Sequence, residues 1–194
     1  NTAWAFATAG HAAPELLKAI AKAAVPRLPE FDPQALANTA WAFATAGHAA
    51  PVLLKAIAMA AVPLLGDFTP QNLANTVWAF ATAGHAAPEL LKAIAKAAAP
   101  LLGDFTPQNL ANMVWAFAKA GHAAPELLDA IAKAVVPRLG DFNAQNLANT
   151  VWAFATAGHA APVLLEAIAA AAAPRLRDFK PQELANTVWA FAKA

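Results

Sequence analysis

Apolar residues recur at helical spacing in two successive segments, seen most clearly between Phe68 and Asp104. In the first segment, a rotation of about 100° per residue separates an apolar side from a polar side. The apolar side carries Leu73, Val77, Phe80 and Ala81, and the polar side carries Gln71, Asn72, Asn75, Ala79 and Thr82. The second segment spaces Leu90, Leu91, Ile94, Ala98, Leu101 and Leu102 in the same way. The pattern predicts two amphipathic helices.

Residues between these segments predict where each helix begins and ends. Thr69 is a natural N-cap, and Pro70 fits the first helical position, where its missing N–H costs nothing. Gly84 predicts a left-handed stop after Ala83, and Pro100 should kink the second helix or end it early. In successive copies the N-cap position is Asp32, Thr69, Thr106, Asn143 and Lys180. Four of these five are preferred caps, and four-residue links such as Gly84–Ala87 and Gly103–Thr106 separate the helices.

The whole pattern repeats every 37 residues, as the tryptophans Trp4, Trp41, Trp78, Trp115, Trp152 and Trp189 show. Short links favour antiparallel neighbours, and one hairpin cannot bury its apolar face alone, so the copies should stack. The sequence therefore predicts an all-α fold, an α-solenoid of stacked antiparallel helix hairpins. We expect residues 1–194 to form a single array of about five repeats. Because both ends lie inside the same motif, we also expect the array to be truncated at each end.

The repeat resembles a known family. The segment Phe-Thr-Pro-Gln-Asn-Leu-Ala-Asn-Thr-Val-Trp-Ala-Phe-Ala-Thr-Ala-Gly, residues 68–84, is similar to the second half of the octotricopeptide repeat. The 37-residue period is similar to that of the heptatricopeptide relatives. The other helix opens Ala87-Pro88-Glu89-Leu90, without the tryptophan found there in that family. The resemblance implies an α-solenoid in a chloroplast or mitochondrion that binds RNA for its stability, processing or translation, or that forms part of an organellar ribosome.

Composition narrows the possible partners. A formal charge of +1 gives no general attraction for nucleic acid or membranes, so any such binding depends on local placement. The most apolar window, Ala49–Leu65, contains Lys55, Pro51 and Pro63, which argues against an integral membrane span. No targeting segment is visible at Asn1, where the sequence starts without a methionine.

No enzymatic constellation is present in the sequence, which has no cysteine and no phosphate-binding glycine loop. Each copy carries one histidine, and stacked copies hold equivalent side chains a helix layer apart, too far for shared metal ligation. We expect these histidines to stabilise helix ends. The sequence predicts a protein without catalysis, cofactor or metal. The histidines are His11, His48, His85, His122 and His159.

The polar side of the first helix carries amides and hydroxyls rather than charges. Asn and Thr are poorer helix formers than Lys and Glu, so their recurrence suggests a compensating contact. One hypothesis is that single-stranded RNA or rRNA binds there, as in other helical-repeat RNA readers. For the Asn75 column we favour hydrogen bonds to the backbone or to neighbours between stacked copies, and for Trp78 we favour core packing. The predicted RNA-binding residues are Gln34, Gln71, Asn72, Thr82, Gln108, Asn109, Lys119, Gln145, Asn146, Gln182 and Lys193.

Phosphate contacts would involve Lys119 and Lys193, together with cations toward the C-terminal end, namely Arg138, Arg175, Arg177 and Lys180. The glutamine column is identical in every copy, so the array could recognise only a monotonous strand, or none. A second hypothesis is therefore a structural or protein-interaction scaffold subunit of a large organellar complex. Exposed apolar positions on the second helix would suit that role, namely Val52 with Met59 and Val163 with Ala170.

Overall fold

The computed structural model describes residues 13–194, so Asn1, Trp4 and His11 lie outside the described residues. Within this range the protein is all helical, which confirms the predicted fold class. Its ten α-helices are α1 (Pro14–Ala24), α2 (Pro33–Thr45), α3 (Pro51–Ala61), α4 (Pro70–Thr82), α5 (Pro88–Ala98), α6 (Pro107–Lys119), α7 (Pro125–Val135), α8 (Ala144–Ala157), α9 (Pro162–Ala172) and α10 (Pro181–Lys193). No helix among them is long and apolar enough to cross a membrane.

The chain forms two compact units, Asn1–Ala97 and Ala98–Ala194. In the first unit α2 packs along α4, and in the second unit α6, α8 and α10 pack side by side in that order. We call these five the tryptophan helices. The alternate helices form a second layer, and buried phenylalanines such as Phe43 and Phe154 lie in the core. Each unit is thus a stack of helix hairpins, while a single array over residues 1–194 stays a prediction.

Proline ends each second-layer α-helix one turn early, as predicted. After α5, for example, Pro100 cannot donate a backbone hydrogen bond, and the chain continues as the 3-10 helix Ala99–Asp104. This extension takes up Gly103 and Asp104, so the link before α6 is shorter than the four residues expected. The other 3-10 helices are Val25–Glu30, Val62–Asp67, Val136–Asp141 and Ala173–Asp178.

The tryptophan helices begin at the predicted caps. The Thr69 hydroxyl accepts a hydrogen bond from the Asn72 N–H at 3.2 Å, and the Asp32 carboxylate accepts one from the Ala35 N–H at 2.7 Å. Lys180, the exception in the column, has no side-chain acceptor. There the Glu183 carboxylate accepts from the Lys180 N–H at 2.8 Å, so the helix start is still satisfied.

Glycine and histidine together end the tryptophan helices. Gly84 is left-handed, with φ of +62°, and the His85 N–H donates to the Phe80 carbonyl at 3.1 Å. This is a Schellman arrangement, in which the histidine backbone satisfies a free helix carbonyl. The His85 ring packs edge-on against Phe80, with centroids 5.7 Å apart. Gly47, Gly121 and Gly158 are left-handed in the same way.

Candidate nucleic-acid interface

Each tryptophan helix leaves one narrow strip open to solvent. The strip in α2 consists of Gln34, Asn38, Trp41 and Thr45, whose spacing of four, three and four residues keeps them on one side of the helix. Gln34 and Thr45 are exposed, and Asn38 and Trp41 are half-buried. We define the tryptophan face as these four positions in every tryptophan helix. Its other members are Gln71, Asn75, Trp78 and Thr82; Gln108, Asn112, Trp115 and Lys119; Gln145, Asn149, Trp152 and Thr156; and Gln182, Asn186, Trp189 and Lys193.

The strip is narrower than the polar side expected from the sequence. Asn72 and Ala79, which we expected there, are 8% and 0% exposed. Ala190 in α10 is equivalent to Ala79 and is also buried. Within the second unit, the tryptophan helix that packs alongside α10 is α8. The expectation for Ala79 was wrong: its side chain is fully buried, and α2 packs along α4 within the same unit.

The predicted RNA-binding asparagines at the helix starts serve the caps. The side-chain oxygen of Asn72 accepts from the Thr69 N–H at 3.2 Å, and that of Asn146 accepts from the Asn143 N–H at 3.3 Å. Asn109 makes the same bond to the Thr106 N–H at 3.3 Å. These capping boxes hold the three carboxamides in the first helical turn, apart from the tryptophan face. A role for them in RNA binding stays a prediction.

The tryptophans, which we expected in the core, form a partly exposed row on the tryptophan face. Ring centroids of Trp41 and Trp78 are 6.3 Å apart in the first unit. In the second unit the separations are 6.4 Å from Trp115 to Trp152 and 6.5 Å from Trp152 to Trp189. These distances fall within the roughly 4.5–7 Å range of paired aromatic rings. The helical spacing from glutamine to tryptophan could have identified this row in the sequence.

The asparagines beside the tryptophans make no hydrogen bond between the described repeats. We expected hydrogen bonds for Asn38, Asn75, Asn112 and Asn149, but their side chains make none within residues 13–194. All four are half-buried, so part of each carboxamide faces solvent. Each therefore offers one hydrogen-bond acceptor and two donors to a ligand. The exposed glutamines Gln34, Gln71, Gln108, Gln145 and Gln182 also make no side-chain hydrogen bond in this part of the chain.

Two lysines give the tryptophan face its charge. The Lys119 ammonium lies 5.6 Å from the centre of the Trp115 ring, and that of Lys193 lies 4.9 Å from the centre of the Trp189 ring. Both are cation–π contacts with the residue one helical turn earlier. None of the twenty positions of this face carries a carboxylate. The face is locally cationic in the second unit although the whole chain is nearly neutral.

Two of the threonines that replace these lysines in other copies turn their hydroxyls inward. Thr82, a predicted RNA-binding residue, has a buried Oγ1 without a hydrogen-bond partner in the described part of the chain. Thr156 Oγ1 is likewise buried and has no hydrogen-bond partner in the described part of the chain. Each residue lines a cavity behind its helix end, of about 360 Å³ for Thr82 and about 330 Å³ for Thr156. The threonine hydroxyls are thus withdrawn from the tryptophan face.

Two arginines that we expected to contact phosphate donate hydrogen bonds to backbone carbonyls, and a phosphate contact for them stays a prediction. Arg138 Nη2 donates to the Phe105 carbonyl at 2.7 Å, and Arg175 Nη1 donates to the Phe142 carbonyl at 2.8 Å. Both bonds run from a 3-10 helix to the residue that directly follows the preceding 3-10 helix. Arg177 and Lys180 remain exposed, and Lys180 lines a cleft of about 280 Å³ that Gln145, Asp178 and Glu183 also line.

The chain matches the sequence model of a family described as the RNA-editing substrate-binding complex 6 protein, RESC6, over residues 2–194. The chain belongs to the RESC6 family. Among curated proteins, no sequence matches the chain.

Membership of the RESC6 family corrects the resemblance to octotricopeptide repeats. That interpretation was wrong, because the matching family is another one. The residues that suggested it, such as Leu73 and Ala74, are fully buried, and Pro70 starts a helix. Such positions meet packing and capping requirements that many helical repeats share. The chloroplast expectation rested on this resemblance and loses its basis with it.

Proposed function

We propose that the chain is a non-catalytic subunit of an RNA-editing substrate-binding complex and that its tryptophan face binds single-stranded RNA. The family match supports the complex, since RESC6 is described as a protein of the RNA-editing substrate-binding complex. Complexes of this type are mitochondrial, which supports the mitochondrion as the site of action.

The observation that carries RNA binding is the row of unpaired carboxamides beside partly exposed aromatic rings. Single-stranded RNA presents base edges that amides can hydrogen-bond and ring faces that aromatic side chains can stack against. Lys119 and Lys193 add positive charge beside two of the rings, where a phosphate backbone would pass. No carboxylate on the face opposes it.

The test uses Gln145→Ala combined with Asn149→Ala, both on α8. Neither side chain makes a hydrogen bond within the described residues, so stability should hold while affinity for a labelled single-stranded RNA falls about tenfold. Lys133→Ala combined with Glu126→Ala, both exposed on α7, is the matched control and should bind like the unmodified chain. Unchanged RNA affinity in the α8 variant would contradict the tryptophan face as the site. Affinity weaker than about 10⁻⁴ M at low salt would contradict RNA binding altogether.

A second candidate function, a protein-interaction scaffold, is favoured by apolar side chains on the other layer. Val52 and Met59 on α3 are 72% and 71% exposed, and Val163 on α9 is 68% exposed. Exposed apolar residues that recur on one layer suit contacts with other subunits. Val52→Ser combined with Met59→Ser should then weaken co-purification with the complex while RNA affinity stays unchanged. Retained co-purification would contradict this role for α3.

A further inference from the structure

Three positions of the tryptophan face carry the same residue in every described repeat. Glutamine, asparagine and tryptophan occupy these positions in all five tryptophan helices. Three exposed positions of the second-layer helices differ between repeats: Val52, Lys55 and Met59 in α3 correspond to Glu126, Asp129 and Lys133 in α7. Every repeat therefore presents the same hydrogen-bonding groups in the same local arrangement.

The spacing of the rings sets how a strand can follow these groups. Neighbouring tryptophans within a unit are 6.3–6.5 Å apart, about twice the ~3.4 Å that each nucleotide occupies along a stacked strand. Because the rings are already paired with one another, a base lies against their solvent side rather than between them. A strand that sets one base against each repeat is therefore extended and unstacked, because two stacked bases would fill the same distance.

Resting on the proposed RNA-binding function, we infer that the tryptophan face selects single-stranded RNA in which one base is repeated. A carboxamide offers a donor and an acceptor side by side, which can pair with two neighbouring atoms of a base edge. Identical carboxamides in identical positions choose the same base at each repeat. A different base leaves a half-buried amide without its partner, so the losses accumulate over the three repeats of the second unit.

The lysines and the amides have separable effects in this arrangement. Lys119 and Lys193 lie over tryptophan rings and act on the backbone charge, which is the same for every base. Gln145 and Asn149 act on the base edges. Affinity and base preference should therefore respond to different substitutions.

The experiment measures fluorescence anisotropy of the full chain with oligo(A), oligo(C), oligo(U) and a mixed-sequence RNA of equal length. One homopolymer should bind at least about tenfold more tightly than the mixed sequence. Gln145→Ala with Asn149→Ala should reduce that ratio severalfold. Lys119→Gln with Lys193→Gln should weaken every RNA alike and keep the ratio.

Three outcomes would overturn the inference. Affinities for all four RNAs within about twofold of one another would refute base selection while leaving RNA binding intact. Tighter binding of the mixed sequence would do the same. A preference that survives the double alanine variant would show that other residues choose the base. Binding to none of the RNAs would instead remove the proposed function itself, and the inference with it.

Discussion

Gly158 and Gly140 are both glycines, but their backbone conformations differ. Gly158 closes α8 in the left-handed region at φ of +62°, whereas Gly140, inside the 3-10 helix Val136–Asp141, lies outside that region. A Cβ added at either position would meet no atom within 4 Å. The two sites therefore differ in backbone conformation and not in available space, which makes them a clean comparison.

Gly158→Ala should lower the free energy of unfolding by about 1 kcal/mol, because an L-residue is strained in the left-handed region. Gly140→Ala should leave it unchanged or raise it by a few tenths of a kcal/mol, since alanine restricts the unfolded chain. Urea unfolding followed by circular dichroism measures both. Equal losses in the two variants would contradict the assigned role of the left-handed stop.

At the scale of elements, the 3-10 helices connect one repeat to the next in the second layer. The 3-10 helix Val136–Asp141 packs against α9 of the following repeat. Arg175, in the next 3-10 helix, adds bonds to the Phe142 and Leu139 carbonyls at 2.8 and 3.4 Å and to the Ala171 carbonyl at 3.0 Å. The proline break that ends each α-helix thus also creates a contact between repeats.

Arg175→Gln should destabilise the second unit by about 1–2 kcal/mol, because charge-assisted hydrogen bonds to backbone carbonyls are lost. The glutamine is too short to reach the preceding repeat. Arg177→Gln is the matched control, since Arg177 is exposed and should change stability by less than about 0.5 kcal/mol. Thermal unfolding of both variants tests the difference. A loss at Arg177 as large as at Arg175 would show that net charge, rather than the carbonyl bonds, matters.

At the scale of the whole molecule, the net charge is close to zero, but positive charge is concentrated locally on the tryptophan face of the second unit. The chain has 13 basic and 12 acidic residues, yet the tryptophan face of the second unit has two lysines and no acid. The acids lie in the links, at helix starts and on the second layer. Attraction for a polyanion is therefore local, and few phosphates can be neutralised.

Lys119→Gln with Lys193→Gln should flatten the salt dependence of RNA binding. Each lysine that contacts a phosphate contributes about 0.7 to the slope of log affinity against log salt for a single strand, so the double variant should lose about 1.4. Lys133→Gln, on the other layer, should keep the slope of the unmodified chain. Titrations at several salt concentrations measure all three proteins. An unchanged slope in the double variant would mean that phosphates do not lie near these lysines.

The sequence by itself determined the local structure. Thr69, Pro70, Gly84 and Pro100 act through the backbone of their own segment, so their effects on helix starts, stops and breaks could be predicted from neighbouring residues alone. The repeat also determined the fold class, because a 37-residue hairpin with an apolar face must stack to bury it. The sequence also showed that Lys180 is the one position in the N-cap column without a preferred capping side chain.

The tertiary structure decided what each face of a helix meets. Helical periodicity indicates an apolar side, but it does not say that Ala79 is covered by a flanking helix or that Trp78 remains partly open. Likewise, the sequence does not show that Arg175 bonds the Phe142 and Leu139 carbonyls, which lie 33 and 36 residues away. These differences arise from neighbours a full repeat away, whose positions only packing fixes.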